Sequence, residues 1–248
     1  YIYIMKLDIL AIAAHPDDAE LSCSGTMLVH KLKGYKTGII DLTQGELGSR
    51  GSIELRRQES EVASKIMQLD IRENLALRDG FFQNDEASQL ALIRMIRKYQ
   101  PDIVLANAPQ DRHPDHGRAA LLARDACYYS GLLKIETTLD GLLQKPWRPK
   151  KVFNYIQDQY LEPDFVMDIS EVMPLKVDCI RAYKSQFVND DENGPATYIS
   201  SNNYTERVMY RNNLFGKKIG VPYGEGFLSV YGHIGLSSFE NIILPELV

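Results

Sequence analysis

Apolar positions in the first half of the chain follow two alternating rhythms. Short runs at Leu7 to Ala14, Thr37 to Thr43, Asn74 to Leu77 and Asp102 to Ala106 are separated by longer stretches in which apolar residues recur every three or four positions. The first rhythm reads as strands and the second as amphipathic helices, and their alternation predicts βαβ units on a mostly parallel sheet. One helix is expected over Glu20 to Lys33, with Leu21, Gly25, Leu28, Val29 and Leu32 on its inner face and Gly34 as its stop. A second is expected over Ser52 to Leu69, with Leu55, Val62, Ile66 and Leu69 inward. A third covers Asp85 to Tyr99 and ends at Pro101, and a fourth covers Gly117 to Tyr129, after a polar loop at 107 to 116.

Beyond residue 130 the rhythm is less regular. Val152 to Gln157 and Phe165 to Met167 read as strands, Val172 to Lys184 and Tyr204 to Phe215 as helices. The fold class is α/β, with an elaborated C-terminal third. No internal repeat is visible, and the material after the candidate boundary at Lys145 to Lys151 is too short and irregular for a second unit, so one domain is expected over 5–248. Met5 reads as the natural start, because Met5-Lys6-Leu7 opens the first strand pattern, and Tyr1 to Ile4 as residues foreign to the natural chain.

Composition narrows the function classes. With 44% hydrophobic and 25% charged residues the chain matches the globular average, which excludes a disordered or fibrous protein. A net charge of −5 leaves no basic excess for a phosphate backbone, so nucleic acid is not an expected partner. The longest apolar run, Ile9 to Ala14, is far short of the roughly 20 residues that cross a bilayer. Cys23, Cys127 and Cys179 have neither metal-site nor disulfide-scaffold spacing. A cytoplasmic protein with reduced thiols and no membrane partner is the expectation.

The candidate chemistry lies where strands end, because ligands of an open parallel sheet bind beyond the carboxyl ends of its strands. The loop after the first strand carries His15-Pro16-Asp17-Asp18-Ala19-Glu20 where a dinucleotide-binding protein would carry G-x-G-x-x-G. The loop after the Asp102 to Ala106 strand carries Asp111-Arg112-His113-Pro114-Asp115-His116. Either cluster alone reads as satisfied polar loop residues; the two together read as a metal site. His15, Asp18 and His116 supply two imidazoles and one carboxylate, the three protein ligands of a hydrolytic zinc ion with one position open to water. Asp17 is then placed to take the proton of that water. His113, held and kept charged by Asp115, would stabilise an oxyanion or protonate a leaving amine. Such a layout suits amide hydrolysis.

The stretches A-H-P-D-D-A-E-L at 14 to 21 and D-R-H-P-D-H at 111 to 116 resemble the two signature motifs of the zinc-dependent N-acetylglucosamine deacetylase superfamily that includes LmbE-like and PIG-L proteins. The resemblance continues through Thr43 to Gly48, Arg56 and Glu59, Leu77 to Gly80, and Glu225-Gly226-Phe227, and so spans nearly the whole chain. Within the superfamily it is strongest toward the deacetylases of bacillithiol biosynthesis, which act on N-acetyl-D-glucosaminyl L-malate. It implies a Rossmann-like three-layer fold, the zinc ligands and base just named, the charged pair His113 and Asp115, and sugar contacts from Arg56 and Asp79. It further implies a mobile arginine and tyrosine, for which Arg148 and Tyr204 are the candidates, with Tyr198 as the alternative tyrosine. A homo-oligomer is implied as well. Arg78 stands where the family more usually has proline, which touches the sugar pocket and not the metal.

Arg112 is a candidate for a malate carboxylate, since planar guanidinium groups bind carboxylates bidentately. The bland reading of Arg56 is a surface ion pair with Glu59, that of His30 a solvated histidine, that of Cys23 a small buried residue beside the ligand loop, and that of His233 a structural one. The same two-histidine, one-carboxylate set also fits Fe²⁺, either as the metal of this enzyme in a reducing cell or in an iron oxygenase. A deacetylase of another N-acetylglucosamine conjugate and a metal-assisted sugar-binding protein without turnover remain as further readings.

Overall fold

A computed structural model describes residues 5–188, 194–200 and 203–235. In chain order its elements are β1 (Ile9–Ala13), α1 (Asp18–Ser22), α2 (Ser24–Leu32), β2 (Thr37–Thr43), α3 (Ile53–Ile66), β3 (Ile71–Leu77), α4 (Glu86–Tyr99), β4 (Ile103–Ala106) and α5 (Pro114–Tyr129). A small hairpin of β5 (Thr138–Leu139) and β6 (Leu142–Leu143) follows. Then come β7 (Lys151–Tyr155), β8 (Phe165–Asp168), a 3-10 turn, α6 (Met173–Arg181), α7 (Lys184–Phe187), α8 (Tyr204–Lys218) and β9 (Gly224–Ser229).

The main sheet has seven strands in the order β3-β2-β1-β4-β7-β9-β8. The five strands from β3 to β7 are mutually parallel, and β9 runs antiparallel to both of its neighbours. All five residues of β1 are buried because helices cover both faces. Leu10 and Ile12 point into a core shared with Leu92, Ile96, Leu122 and Ala126 of α4 and α5. Ile9, Ala11 and Ala13 point the other way, into a core shared with Ala19, Met27 and Val177 of α1, α2 and α6. The result is the expected α/β three-layer architecture with a mostly parallel sheet.

Four local expectations are corrected. The helix expected over Glu20 to Lys33 is two helices, broken at Cys23 (φ −134°, ψ 8°), and Leu32 is 67% exposed. Buried charge accounts for the break. The Lys176 ammonium donates to the carbonyls of Glu20 at 3.1 Å and Leu21 at 3.0 Å, near the end of α1. The Glu225 carboxylate accepts the N–H groups of Gly25 at 2.9 Å and Thr26 at 2.7 Å, in the first turn of α2. Each helix end thus meets the charge its dipole favours, and Lys176 and Glu225 pair at 2.7 Å. Gly25 is required there, since a Cβ would sit 2.9 Å from Glu225 Oε1. Glu225 itself lies on β9, a strand that the glycine-rich sequence did not suggest.

The second correction concerns α3, which is turned so that Arg56, Glu59, Ser60 and Ala63 are buried while Val62 is 48% exposed. Its inner face is polar because Arg56 reaches the Pro16 carbonyl in the loop after β1 and Glu59 accepts from Ser185 of α7. Thirdly, α5 begins at Pro114 and not at Gly117, with proline in the first turn, where its missing N–H leaves no bond unmade. Finally, β3 extends from Ile71, earlier than the expected Asn74. The α4 helix keeps its expected bounds: Asp85 caps its N-terminus through Ser88 N at 2.9 Å, and Gln100 ends it in the left-handed region (φ 45°) just before Pro101.

Candidate active site

Strand β1 lies between β2 and β4, so the chain crosses to opposite sides of the sheet from β1 and from β4, and a crevice opens beyond their carboxyl ends. The two motif loops meet in that crevice. Asn107, which follows β4, ties them: its Oδ1 accepts Ala14 N at 2.9 Å and its Nδ2 donates to Asp18 Oδ2 at 3.1 Å. The Asn107 carbonyl accepts in turn from Asn154 Nδ2 on β7 at 2.6 Å.

His15, Asp18 and His116 come together. Asp18 Oδ1 lies 3.2 Å from His116 Nε2, and Asp18 Oδ2 lies 3.5 Å from His15 Nδ1. His116 Nδ1 is 2.6 Å from Asp111 Oδ2, which leaves Nε2 turned toward Asp18. Asp111 is itself fixed by the backbone N–H groups of Arg112 at 2.8 Å and Gln159 at 2.7 Å. Gln157 Nε2 donates to Asp18 Oδ1 at 2.8 Å. A carboxylate that orients a histidine and amides that orient a carboxylate are the supports a metal site needs. His113 joins the group, and one ring nitrogen from each of His15, His113 and His116 lies within 4.8 Å of the others. These side chains could hold one divalent ion.

The electrostatics agree with that use. Burial lowers the affinity of His15 for a proton, yet the carboxylates of Asp115, Asp18 and Asp79 outweigh it and raise its pKa well above 6.5. His116 is raised to about 9, burial being outweighed by Asp18 and Asp111. The carboxylates draw positive charge into the crevice, where protons and a metal cation compete for the same nitrogens.

Asp17 has the one strained backbone of the loop, at φ 127°, ψ −24°, outside the regions that residues with a side chain favour. Burial raises its pKa to about 7, opposed by the Arg56 guanidinium. Arg56 Nη1 donates to the Pro16 carbonyl at 2.9 Å and lies 3.5 Å from Asp17 Oδ2. It makes no pair with Glu59, whose carboxylate accepts Ser185 N and Oγ, both at 2.7 Å.

Asp115 does not hold His113, and the expected charged pair is corrected. The Asp115 carboxylate accepts Gly80 N at 2.9 Å, lies 2.8 Å from Arg118 Nη1 and approaches His15 Nε2 at 3.2 Å. His113 caps α5 by accepting the backbone N–H of Asp115 on Nδ1 at 3.3 Å, and burial, with His15 and His116 nearby, lowers its pKa. Asp79 lies at the site but faces His15 Nε2 at 3.0 Å and accepts Leu47 N at 2.9 Å. Burial would raise its pKa, but these bonds hold it at about 2.

The donors line an open cavity of about 320 Å³, whose walls include Arg56, Arg112, Tyr198 and Tyr204. A larger groove of about 540 Å³, between α3 and β3, contains none of the histidines. Both candidate tyrosines reach the cavity: Tyr198 at its rim, and Tyr204 buried and stacked on Phe187 at 5.5 Å. Arg148 does not. Its guanidinium donates to the Tyr128 carbonyl and lies 4.3 Å from the Tyr128 ring, at the end of α5 opposite to His116. His233 is exposed beyond β9, and His30 bonds its own helix at Thr26 O. Cys23 is buried, and burial pushes its thiol up. Sequence reasoning missed Asn107, Gln157 and the role of Asp111. The last was legible as an acid five residues before a ligand; the others carried no local signal.

The chain matches the family model of the PIG-L GlcNAc-PI de-N-acetylases over residues 10–127, which include both motif loops. The structure of a conserved protein from Thermus thermophilus superimposes with a TM-score of 0.82 at 35% identity, covering 93% of this chain and 98% of that one. That of the N,N'-diacetylchitobiose deacetylase of Pyrococcus horikoshii gives 0.77 at 28% identity, over 95% and 88% of the two chains. A probable N-acetyl-alpha-D-glucosaminyl L-malate deacetylase of Bacillus subtilis is 28% identical over 73% of this chain and 84% of its own. With these matches and two facing loops that carry the motifs, the chain belongs to the PIG-L/LmbE-like deacetylase family.

Proposed function

We propose that this protein is a zinc-dependent N-deacetylase that hydrolyses the acetamide of an N-acetylglucosamine conjugate. The observation that carries the reading is the convergence of His15, Asp18 and His116 beside Asp17, a buried carboxyl group with a pKa raised to about 7. The donor set fits zinc: imidazole nitrogen and carboxylate oxygen, with His116 already oriented by Asp111. When bound, zinc supplies a Lewis acid that polarises the acetamide carbonyl and acidifies water toward neutral pH.

The chain's own groups do the rest. Asp17, poised near neutrality, takes a proton from the attacking water and returns it to the departing amine. Arg56 holds the ionised form of Asp17 and fixes its carboxylate direction. With Nδ1 of His113 accepting a backbone N–H, its proton sits on Nε2, so the ring serves as a neutral donor to the developing oxyanion. Asp79 and Asp115 flank His15 Nε2 and fix that ring's orientation. Strain at Asp17 argues against a module that binds sugar without turnover, since binding alone needs no such residue. The parallel sheet argues against an iron oxygenase, though Fe²⁺ suits the same donors.

N-acetyl-D-glucosaminyl L-malate, the bacillithiol precursor, is the first substrate to test. Diacetylchitobiose is the second, because Arg112 is already paired with a carboxylate. Release of free amine from each is measured with and without chelation. Turnover that is lost on chelation and restored by zinc supports the reading; chelator-insensitive turnover contradicts it.

A further inference from the structure

At the mouth of the cavity stands an acid, Asp158, to which the proposed chemistry gives no part. Asp158 stands just beyond β7, next to Gln157, and its backbone N–H donates to Asp111 Oδ1 at 3.2 Å. That bond anchors it to the loop that holds His116. Its Oδ2 accepts from Arg112 Nε at 2.9 Å, and its Oδ1 accepts from the Tyr198 hydroxyl at 3.2 Å. The Arg112 guanidinium lies 4.5 Å from the centre of the Tyr198 ring. Acid, guanidinium and phenol form one cluster on the rim, half open to water at Arg112 (47% exposed) and less so at Asp158 (19%).

The other guanidinium groups on the cavity wall are committed. Arg56 serves Pro16 and Asp17. Arg50 donates to the carbonyls of Ser185, Val188, Gly194 and Pro195, tying the chain on both sides of 189–193. Arg207 lies 5.4 Å from the Tyr198 ring but is not part of the cavity wall. Among the described residues, a dicarboxylate aglycone would therefore meet an Arg112 whose Nε is already given to Asp158 and would sit beside that acid, and like charges in contact are costly. An uncharged sugar meets no such cost, since the same carboxylate accepts from hydroxyls and the same guanidinium donates to them.

We propose that Asp158 determines specificity: by holding Arg112 and the Tyr198 hydroxyl, it selects conjugates in which N-acetylglucosamine is linked to an uncharged sugar over those in which it is linked to a dicarboxylate. The inference rests on the deacetylase reading. The test compares kcat/KM for acetate release from diacetylchitobiose and from N-acetylglucosaminyl malate in the zinc-loaded wild type, Asp158→Asn and the double variant Asp158→Asn/Arg112→Ala. The amide replacement keeps size and backbone contacts while removing the charge. The wild type is expected to favour the disaccharide. In Asp158→Asn the ratio should move about tenfold toward the malate conjugate, mainly through a lower KM for it, and the double variant should lose that gain. A purely structural role would lower both substrates together, and that outcome, an unmoved ratio, or a wild type that favours the malate conjugate overturns the inference while leaving the deacetylase reading intact. No acetate from either substrate overturns both.

Discussion

The floor of the cavity and its mouth are built by different means. The floor comes from the short connections after β1 and β4, two adjacent parallel strands, and its side chains are buried and held from several sides: Asp18 meets His15, His116, Asn107 and Gln157. The mouth comes from residues that reach over from the polar motif loop, the end of β7 and the segment before α8, and Arg112 and Tyr198 are nearly half exposed there. On the proposed function, chemistry falls to the buried floor between the strands and substrate choice to exposed groups outside the sheet.

If that division holds, variants of the floor should abolish or cripple activity whatever the substrate. The largest effect is expected for His116→Ala, which should lose both zinc and turnover. Asp17→Asn should keep zinc, measured by metal analysis, yet lose about 10²- to 10⁴-fold in kcat, the usual share of a general base. Equal activity in this variant would remove Asp17 from its role. The same substitution has a stability consequence of opposite sign. A folded-state carboxyl pKa raised from 3.8 to about 7 means that folding favours the protonated form, so stability falls as pH rises from about 4 to 7. In metal-free protein, Asp17→Asn should therefore melt above the wild type at pH 8 and match it at pH 3.

A smaller change is expected one contact away. Asp111→Asn leaves His116 Nδ1 without its carboxylate, and zinc affinity should fall about 10- to 100-fold with kcat at saturating zinc much less affected. In the chelated protein, His116 contributes stability that is full below its unfolded pKa near 6.5 and is lost as pH rises through about 9. The melting temperature of metal-free protein should accordingly fall between pH 7 and 9, and a rise over that window would contradict the pairing of His116 with Asp18 and Asp111. The smallest effect belongs to Arg148→Ala. That side chain packs on Tyr128, away from the cavity, so neither kinetic constant should move and stability should change by about 0.5 kcal/mol or less.

What the sequence revealed follows the same line. Strands β1, β2 and β4 were legible because burial on both faces leaves an unbroken apolar run, and the two motifs were legible because their spacing is local. The break at Cys23 was not, because Lys176 and Glu225, more than 150 residues away, supply the charges that end α1 and start α2. The orientation of α3 was misread because periodicity finds apolar faces, whereas this helix turns Arg56 inward to the site and Glu59 inward to Ser185 of α7. The partner of His113 was misread for a related reason. Adjacency suggested Asp115, but the first turn of α5 presents the backbone N–H of Asp115 to His113 and sends the carboxylate to Gly80, Arg118 and His15. In the mouth, Arg112 was legible as a cation, but the acid that pairs with it lies 46 positions along the chain, beyond any local pattern.

The central claim is that two remote loops close on a single divalent ion and use it to cleave an acetamide. It is tested most directly by titrating zinc into metal-depleted protein while following acetate release from an N-acetylglucosamine conjugate. The account predicts that activity rises from zero and saturates near one equivalent of zinc per chain. Full turnover before any zinc is added, or no turnover after saturation, would contradict it.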